Sequence, residues 1–420
     1  VCSFSAEEES HSPNQNMEFR LVVVALVVLS STFLVSAFQG NNVGRSLQIT
    51  SSKTTSVGPL MSAVPDTDEQ LDYFTRTDIY KENSRAFRRS VFGHPEWRRH
   101  RSSERYARNL KTTFESGVIQ GLLLEVGSVV SVATFICLWN AWVGGELPNV
   151  AAPDASLPIL QAPALPFTLG VPALGLLLVF RTNNAYNRWW EARILWGFTI
   201  NRCRDFVRNG LCYYNANNGY TNTPEIIAKK TQFTHQVIGF ARVLKGHFRD
   251  GPAEAEKLRG ELTALLGPEE ANYVMAAAHR PCRIVQLLSQ TVRDADLTPI
   301  QQQQIDKNLS GFCDAFGAME RIFKTPIPLV YTRHTSRFLY IWLLGLPLAL
   351  YKELGDSYLH LAAVPASALI ATFLLGIEEL GVQLEEPFSI LPMEVMGDGI
   401  EGSCKEMLAN DIAMSTPVEN

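Results

Sequence analysis

Apolar residues along the chain are concentrated in four long blocks that are separated by charged stretches. The blocks lie at residues 117–143, 165–180, 338–350 and 359–376. A helix needs about 20 mostly apolar residues to cross the hydrocarbon core of a membrane. Between the second and third blocks, apolar positions recur at helical spacing, and no stretch alternates like a β-strand. The pattern predicts an all-α, polytopic membrane protein with four transmembrane helices and a helical domain outside the membrane.

The second apolar block continues into a polar stretch without a helix-breaking residue. Residues 181–197 read RTNNAYNRWWEARILWG, and Tyr186, Trp190 and Ile194 recur there at helical spacing. Pro172 lies inside the apolar part, where transmembrane helices tolerate proline. The two stretches together predict one long helix that leaves the membrane and continues into water.

Local signals in the region between the second and third blocks predict where its helices begin and end. Thr223 and Thr298 each precede a proline, which predicts an N-cap followed by proline at the first helical position. Gly267 and Pro268 together predict the end of a helix that begins at Pro252.

Composition adds little to this picture, but it excludes several classes of protein. The apolar fraction is 46% and the net charge is −5, which gives no reason to expect a nucleic-acid partner. The seven cysteines form no C-x-x-C pair and the histidines are dispersed, so their spacing predicts neither a metal site nor a cofactor site. No phosphate-binding loop or nucleophile motif occurs, so we predict that the protein is not an enzyme and has no catalytic residues.

The N-terminal residues have the composition of targeting segments. Residues 17–20 form a short basic n-region, 21–34 an apolar h-region and 35–37 a small-residue cleavage site, although an N-terminal membrane anchor is the alternative. Residues 38–65 are rich in Ser, Thr and Asn and lack acidic residues, as plastid transit peptides do. A signal peptide followed by a transit peptide predicts a plastid membrane protein.

Separated motifs then carry a resemblance to a known family. They read HRSSERYAR at 100–108, FRTNNAYNRWWEARILWG at 180–197, TPIPLVYTRH at 325–334 and IEELGVQLEEPF at 377–388. In order and spacing, the chain resembles the bestrophin family of anion channels, and most of all its plastid (thylakoid) voltage-dependent chloride channel branch. The resemblance implies a homopentamer of four-transmembrane subunits around one central pore, with a helical stromal vestibule.

Charge and hydropathy, combined with this resemblance, divide the chain into consecutive segments. Basic residues precede the first apolar block and follow the second, which predicts that the N-terminal side faces the stroma. The predicted segments are upstream residues with the signal and transit peptides (1–65), a basic N-terminal stromal segment (66–111), the first transmembrane helix (112–143), a lumenal loop (144–164), the pore-lining second transmembrane helix and its extension (165–209), the helical stromal vestibule (210–325), the third and fourth transmembrane helices (326–383) and a C-terminal stromal segment (384–420).

The resemblance also assigns residues to the pore. It implies a hydrophobic neck at Pro172, Leu176 and Phe180, whose four-residue spacing puts them on one helical face. Packing against lipid or in the core is the alternative, and Val171 could replace Pro172 as the lining residue. It further implies an inner aperture at Ile300, for which a core position in the helix capped by Thr298 is the alternative.

Charged residues beside the neck allow two interpretations. Arg181 and Arg188 either attract anions to the inner mouth or pair with Glu191 and Glu386. At 389–392 the chain reads SILP, where animal bestrophins have an acidic calcium-binding run, so we predict no calcium gating.

These expectations combine into one function with two alternatives. We expect passive conduction of chloride and other monovalent anions across a plastid membrane, most of all the thylakoid, which balances charge during proton pumping. The alternatives are a bicarbonate channel that supports carbon concentration and a non-conducting membrane scaffold. The expected partners are anions, membrane lipid and other copies of the chain.

Overall fold

The computed structural model describes residues 85–414, with gaps at 148–149, 151, 154–156, 215–221, 250, 296 and 355–359. The predicted signal and transit peptides, at 1–65, lie outside the described residues. Within the described ranges the regular structure is entirely helical. The α-helices are α1 (His94–Arg101), α2 (Arg105–Lys111), α3 (Gly117–Gly121), α4 (Leu123–Val143), α5 (Leu165–Tyr213), α6 (Pro224–His247), α7 (Pro252–Met275), α8 (Arg280–Arg293), α9 (Pro299–Lys324), α10 (Leu329–Glu353), α11 (Ala363–Glu385) and α12 (Met393–Met414).

The described chain divides into two compact units. Unit 1 contains Tyr106–Phe180 and Val330–Leu380, and unit 2 contains 85–105, Arg181–Leu329 and 381–414. Helix α5 contributes its apolar first part to unit 1 and its polar continuation to unit 2. The predicted single helix through both stretches is confirmed, because α5 runs unbroken for 49 residues and keeps Pro172 inside it.

Unit 1 has a core made by leucines from four helices. Helices α4, α5, α10 and α11 each contribute apolar side chains to one cluster. Its largest buried members are Leu122, Leu174, Leu178, Leu339, Leu343 and Leu375. On α5 the two buried leucines are four residues apart, so one face of this helix packs inside the unit.

Hydrogen bonds satisfy several polar side chains inside this apolar unit. Tyr331 donates its hydroxyl proton to the carbonyl oxygen of Leu177 at 3.1 Å. Ser336 donates to the Glu378 carboxylate at 2.6 Å. In a membrane, unsatisfied polar groups cost several kcal/mol, roughly, so such bonds are needed to keep these residues where lipid excludes water.

Three helices of the described residues, α4, α5 and α11, are long and apolar enough to cross a membrane. The third predicted span falls in α10, which does not meet the same test of length and composition. Its first turns carry Arg333, His334 and Arg337, so the apolar run that follows is shorter than the roughly 17–25 residues of a full span. Membrane crossing by α10 therefore stays a prediction.

Unit 2 is built around α6, which is buried along most of its length. Helices α7, α8 and α12 pack against it. Aromatic side chains connect it to its neighbours: Phe240 stacks on Phe312 at 4.3 Å between ring centroids, and Phe233 stacks on Phe206 at 4.9 Å. Helix α6 also buries charged side chains, and these are paired: Lys230 binds Asp411 at 2.6 Å and Lys245 binds Glu261 at 2.9 Å.

The two predicted N-caps in unit 2 are confirmed, and the predicted helix end at Gly267 is a break inside α7. The Thr223 side chain accepts a hydrogen bond from the Ile226 amide, and Thr298 forms a capping box with Gln301. Gly267 breaks α7 with a positive φ of 81°, and the helix resumes at Pro268. The sequence predicted the break because glycine adopts positive φ without steric cost.

Gly210 gives a test of this core. A Cβ atom there would lie 2.7 Å from Cζ of the buried Phe233, so Gly210→Ala must displace a ring that is stacked on Phe206. We expect a loss of about 1–3 kcal/mol of unfolding free energy, measured as a lower thermal midpoint in detergent.

Gly260→Ala is the matched control for that substitution. Gly260 is an exposed residue of α7, and no atom lies within 4 Å of a Cβ added there. Alanine at this position should therefore leave the unfolding free energy unchanged or raise it. Equal thermal midpoints for the two variants would contradict the packing described for Phe233.

Candidate functional site

The predicted neck residues lie on the side of α5 that unit 1 leaves exposed. Leu176 is 56% exposed and Phe180 is 52% exposed, while Leu174 and Leu178 on the opposite side are 2% exposed. Pro172 is exposed as well. Packing in the subunit core is therefore wrong for these three positions. The remaining alternatives for this face are an ion path, lipid or another subunit.

Val171 lies in a different environment from the three neck positions. It lines an apolar groove of about 540 Å³ together with Leu174, Trp342 and Phe373. It therefore shares the side of α5 that turns towards α10 and α11. This placement favours Pro172 over Val171 as the member of the exposed stripe.

Beyond Phe180, the part of α5 in unit 2 also has an exposed face. Asn183 and Asn187 are exposed, followed by Trp190 and Ile194 at spacings of three and four residues. These asparagines were not predicted from the sequence, although they follow Phe180 by three and seven residues, which is the spacing of one helical face. Their side-chain amides carry N–H donors, which can solvate an anion without a fixed charge.

Arg181 is almost fully buried, with 4% of its surface exposed. It lies beside Gly381 of α11, where a Cβ atom added to that glycine would be 3.5 Å from Arg181 Nε. Its side chain is therefore held inside unit 2. Any effect of Arg181 on an anion must act through the electric field of its charge.

Arg188 connects the ends of two helices. Its Nε donates to the carbonyl oxygen of Glu385 at 2.8 Å and its Nη1 to that of Thr325 at 2.6 Å, while Nη2 donates to the carbonyl of Ile322. The last carbonyls of a helix have no intrahelical partner, and a cation there is favoured by the helix dipole. Arg188 therefore satisfies the C-terminal ends of α9 and α11 together.

The charges of Glu191 and Glu386 act on Arg188, but the direct ion pairs of these two acids are made with other arginines. Glu191 binds Arg321 at 2.6 Å, and Glu386 binds Arg85 at 3.0 Å. The physical reason is that unsatisfied helix-end carbonyls lie within reach of the guanidinium, and its planar set of donors matches them.

Other acids of the C-terminal motif region are held by arginines. Glu394 binds Arg249 at 3.1 Å and Arg89 at 3.3 Å, and Asp398 binds Arg242 at 2.7 Å. Burial by itself raises the pKa of Glu394, but its backbone hydrogen bond and the two arginines hold that pKa below its ordinary value. These carboxylates serve structural pairing.

Ile300 is 73% exposed in the second position of α9. The alternative of a core position for this residue is therefore wrong. An aperture role stays a prediction, because the residue faces outwards from its own subunit.

Three helices bring together a set of possible metal ligands that linear spacing did not reveal. The ligand atoms of His247, His279 and Glu320 all lie within 4.8 Å of one another. They are far apart in the sequence, so dispersion of the histidines was a poor guide to their placement.

The chain is similar in sequence to one family of known proteins. Residues 96–406 match the family described as "Bacterial/Fungal Bestrophin protein". The chain is 32% identical over 353 residues to "Voltage-dependent chloride channel 1, chloroplastic" of Arabidopsis thaliana, which covers 84% of this chain and 79% of that protein. It is also 32% identical over 241 residues to a "Voltage-dependent anion channel-forming protein" of Synechocystis, covering 56% of this chain and 73% of that protein.

A solved structure shares the fold. A mutant bacterial bestrophin homologue from Klebsiella pneumoniae matches with a TM-score of 0.56 and 24% identity, covering 68% of this chain and 98% of that one. The described elements thus define an all-α chain with helices of membrane-spanning length and composition. The chain belongs to the bestrophin family, as its motifs indicated.

Arg188→Lys tests the helix-end connection. A lysine ammonium cannot reproduce the planar fork that reaches three carbonyls, so we expect a clearly lower thermal midpoint of the purified protein. Arg193→Lys on the same helix is the control, since Arg193 makes no such bridge within the described residues. An Arg188→Lys protein as stable as the control would contradict this role.

Proposed function

We propose that this protein is an anion channel of a plastid membrane that passively conducts chloride and other monovalent anions. The observation that carries the proposal is the exposed apolar face of α5 at Leu176 and Phe180, opposite a buried face. Family membership and the names of the relatives, a chloroplastic chloride channel among them, support it.

The proposed path is a hydrophobic neck. Five copies of α5 would place Pro172, Leu176 and Phe180 around a central axis, as rings of apolar side chains. Such a constriction conducts when it is wetted and closes when it dewets. Because the rings offer no charged partner, an anion that enters is not held tightly, and conduction requires easy release.

Anion preference is assigned to groups that follow the neck on the same helix. The amides of Asn183 and Asn187 supply donors on the exposed face. Arg181 and Arg188 supply positive potential from fixed, largely enclosed positions. A positive field without a direct ion pair attracts chloride and still lets it leave.

Assembly from identical subunits accounts for exposed apolar groups in unit 2. Trp190 is 49% exposed and Ile194 is 52% exposed on α5, and Tyr186 is 48% exposed nearby. Large apolar groups that recur along one helix mark a contact surface, because water around them is unfavourable. We assign these three side chains to contacts with neighbouring copies in a homopentamer, flanking the Asn183 and Asn187 amides that face the ion path. Ile300 is assigned to the inner aperture.

The proposed role is charge balance in the thylakoid. Light-driven proton pumping builds a voltage, and passive anion flow dissipates it while the proton gradient remains. Glu386, Glu394 and Asp398 are engaged by arginines, so the proposal includes no calcium gate. A plastid location rests on the targeting segments of the sequence and on the chloroplastic relatives.

The reversal potential of the purified protein in planar bilayers tests the function. Under a chloride gradient, we expect reversal near the chloride equilibrium potential, with bicarbonate poorly permeant in a second gradient. Comparable bicarbonate permeability would favour a role in carbon supply over a role in charge balance. Absence of current from an assembled oligomer would overturn the channel proposal in favour of a scaffold.

Leu176→Ala tests the neck. Shortening an exposed apolar side chain widens and wets the constriction, so we expect single-channel conductance or open probability to rise severalfold. Leu138→Ala is the matched control, because Leu138 is a leucine of similar exposure, 47%, that lies on α4 and not on α5. Equal currents from both variants would remove Leu176 from the ion path.

A further inference from the structure

His247, His279 and Glu320 meet in unit 2 from three different helices. His247 is the last residue of α6, His279 is the N-cap of α8, and Glu320 lies in α9. Nε2 of His247 is 2.7 Å from Glu320 Oε1, and Nε2 of His279 is 2.8 Å from the same oxygen. Two imidazoles thus converge on one carboxylate.

The cluster is half-buried, which suits an ion that keeps a water ligand. The exposed fractions of the side chains are 22% for His247, 37% for His279 and 15% for Glu320. Aromatic rings pack against both histidines: Phe248 lies edge-on to His247 and Phe316 lies beside His279. The rings are therefore held in place while one side of the cluster stays open to solvent.

The donor set is that of a zinc-class ion. Zinc binds imidazole nitrogen and carboxylate oxygen at about 2.0–2.2 Å, and sites with three protein ligands leave a fourth position to water. Ligand atoms that lie within 4.8 Å of one another can surround an ion at that distance with small side-chain shifts. Hard ions such as Mg²⁺ prefer oxygen ligands and fit this set poorly.

We propose that His247, His279 and Glu320 form a binding site for a divalent transition-metal ion of the zinc class. The site is independent of the proposed channel function, since it lies wholly within unit 2. A bound ion would connect the end of α6, the start of α8 and the C-terminal part of α9. Metal binding would then add stability where three helices meet.

Protons compete with the metal for this site. The charged and titratable groups that act on the His247 ring are Glu320, His279 and Lys324. Binding should weaken as pH falls and the imidazoles become protonated.

One existing hydrogen bond opposes binding at His279. Its Nδ1 accepts from the Cys282 amide at 3.3 Å, which places the proton of the neutral ring on Nε2. Coordination through Nε2 moves that proton to Nδ1 and breaks this long bond. The hydrogen bond that is lost is one weak N-cap contact, and its free energy is small compared with that of three metal–ligand bonds.

The test uses the full chain in detergent, stripped with a chelator and titrated with ZnCl₂ by calorimetry. We expect about one zinc ion per subunit and a higher thermal midpoint on binding. His247→Gln and Glu320→Gln should each weaken zinc binding by at least about tenfold. MgCl₂ should produce no comparable heat or stabilisation.

Two further variants separate metal binding from folding. His279→Asn keeps a good N-cap acceptor but removes the imidazole, so its fold should persist while zinc binding is lost. His235→Gln changes a histidine of the same helix α6 outside the cluster and should bind zinc normally. Equal zinc affinity in the His279→Asn and His235→Gln proteins, or an equal response to MgCl₂, would overturn the proposal.

Discussion

The structure depends on one constraint: the backbone of a helix in hydrocarbon must satisfy its own hydrogen bonds. Helix α5 meets this by running unbroken from Leu165 to Tyr213, so its chain passes from apolar to polar sequence without exposing a turn. One face then packs inside its unit at Leu174 and Leu178. The opposite face, at Leu176 and Phe180, is left exposed by the unit, and the candidate ion path is assigned to that face.

Features set by neighbouring residues could be predicted from the sequence, and features set by distant partners could not. Thr223, Thr298 and Gly267 act on the backbone of their own turn, so the local sequence was enough to predict these helix caps and the break. Arg188 has its carbonyl partners 134 to 197 residues away, and the sequence indicated the carboxylates of Glu191 and Glu386 instead. Long-range choices of this kind depend on which groups folding leaves unsatisfied.

The candidate site shows the same limit. Leu176 and Phe180 could be predicted to share one helical face because motif and four-residue spacing agree on it, whereas Ile300 was assigned by counting alone. The metal ligands escaped notice because His247 and Glu320 are 73 residues apart and only tertiary packing joins them. A dispersed set of histidines is thus weak evidence against a metal site in a helical bundle.

The arginines near the start of the described chain give unit 2 an order of assembly. Arg85 and Arg89 bind Glu386 and Glu394, which are 301 and 305 residues later. Closing so long a loop has an entropic cost, and the partner must already have been synthesised. The N-terminal segment can therefore dock only after the C-terminal motif has emerged. Truncated translation products would lack this closing step.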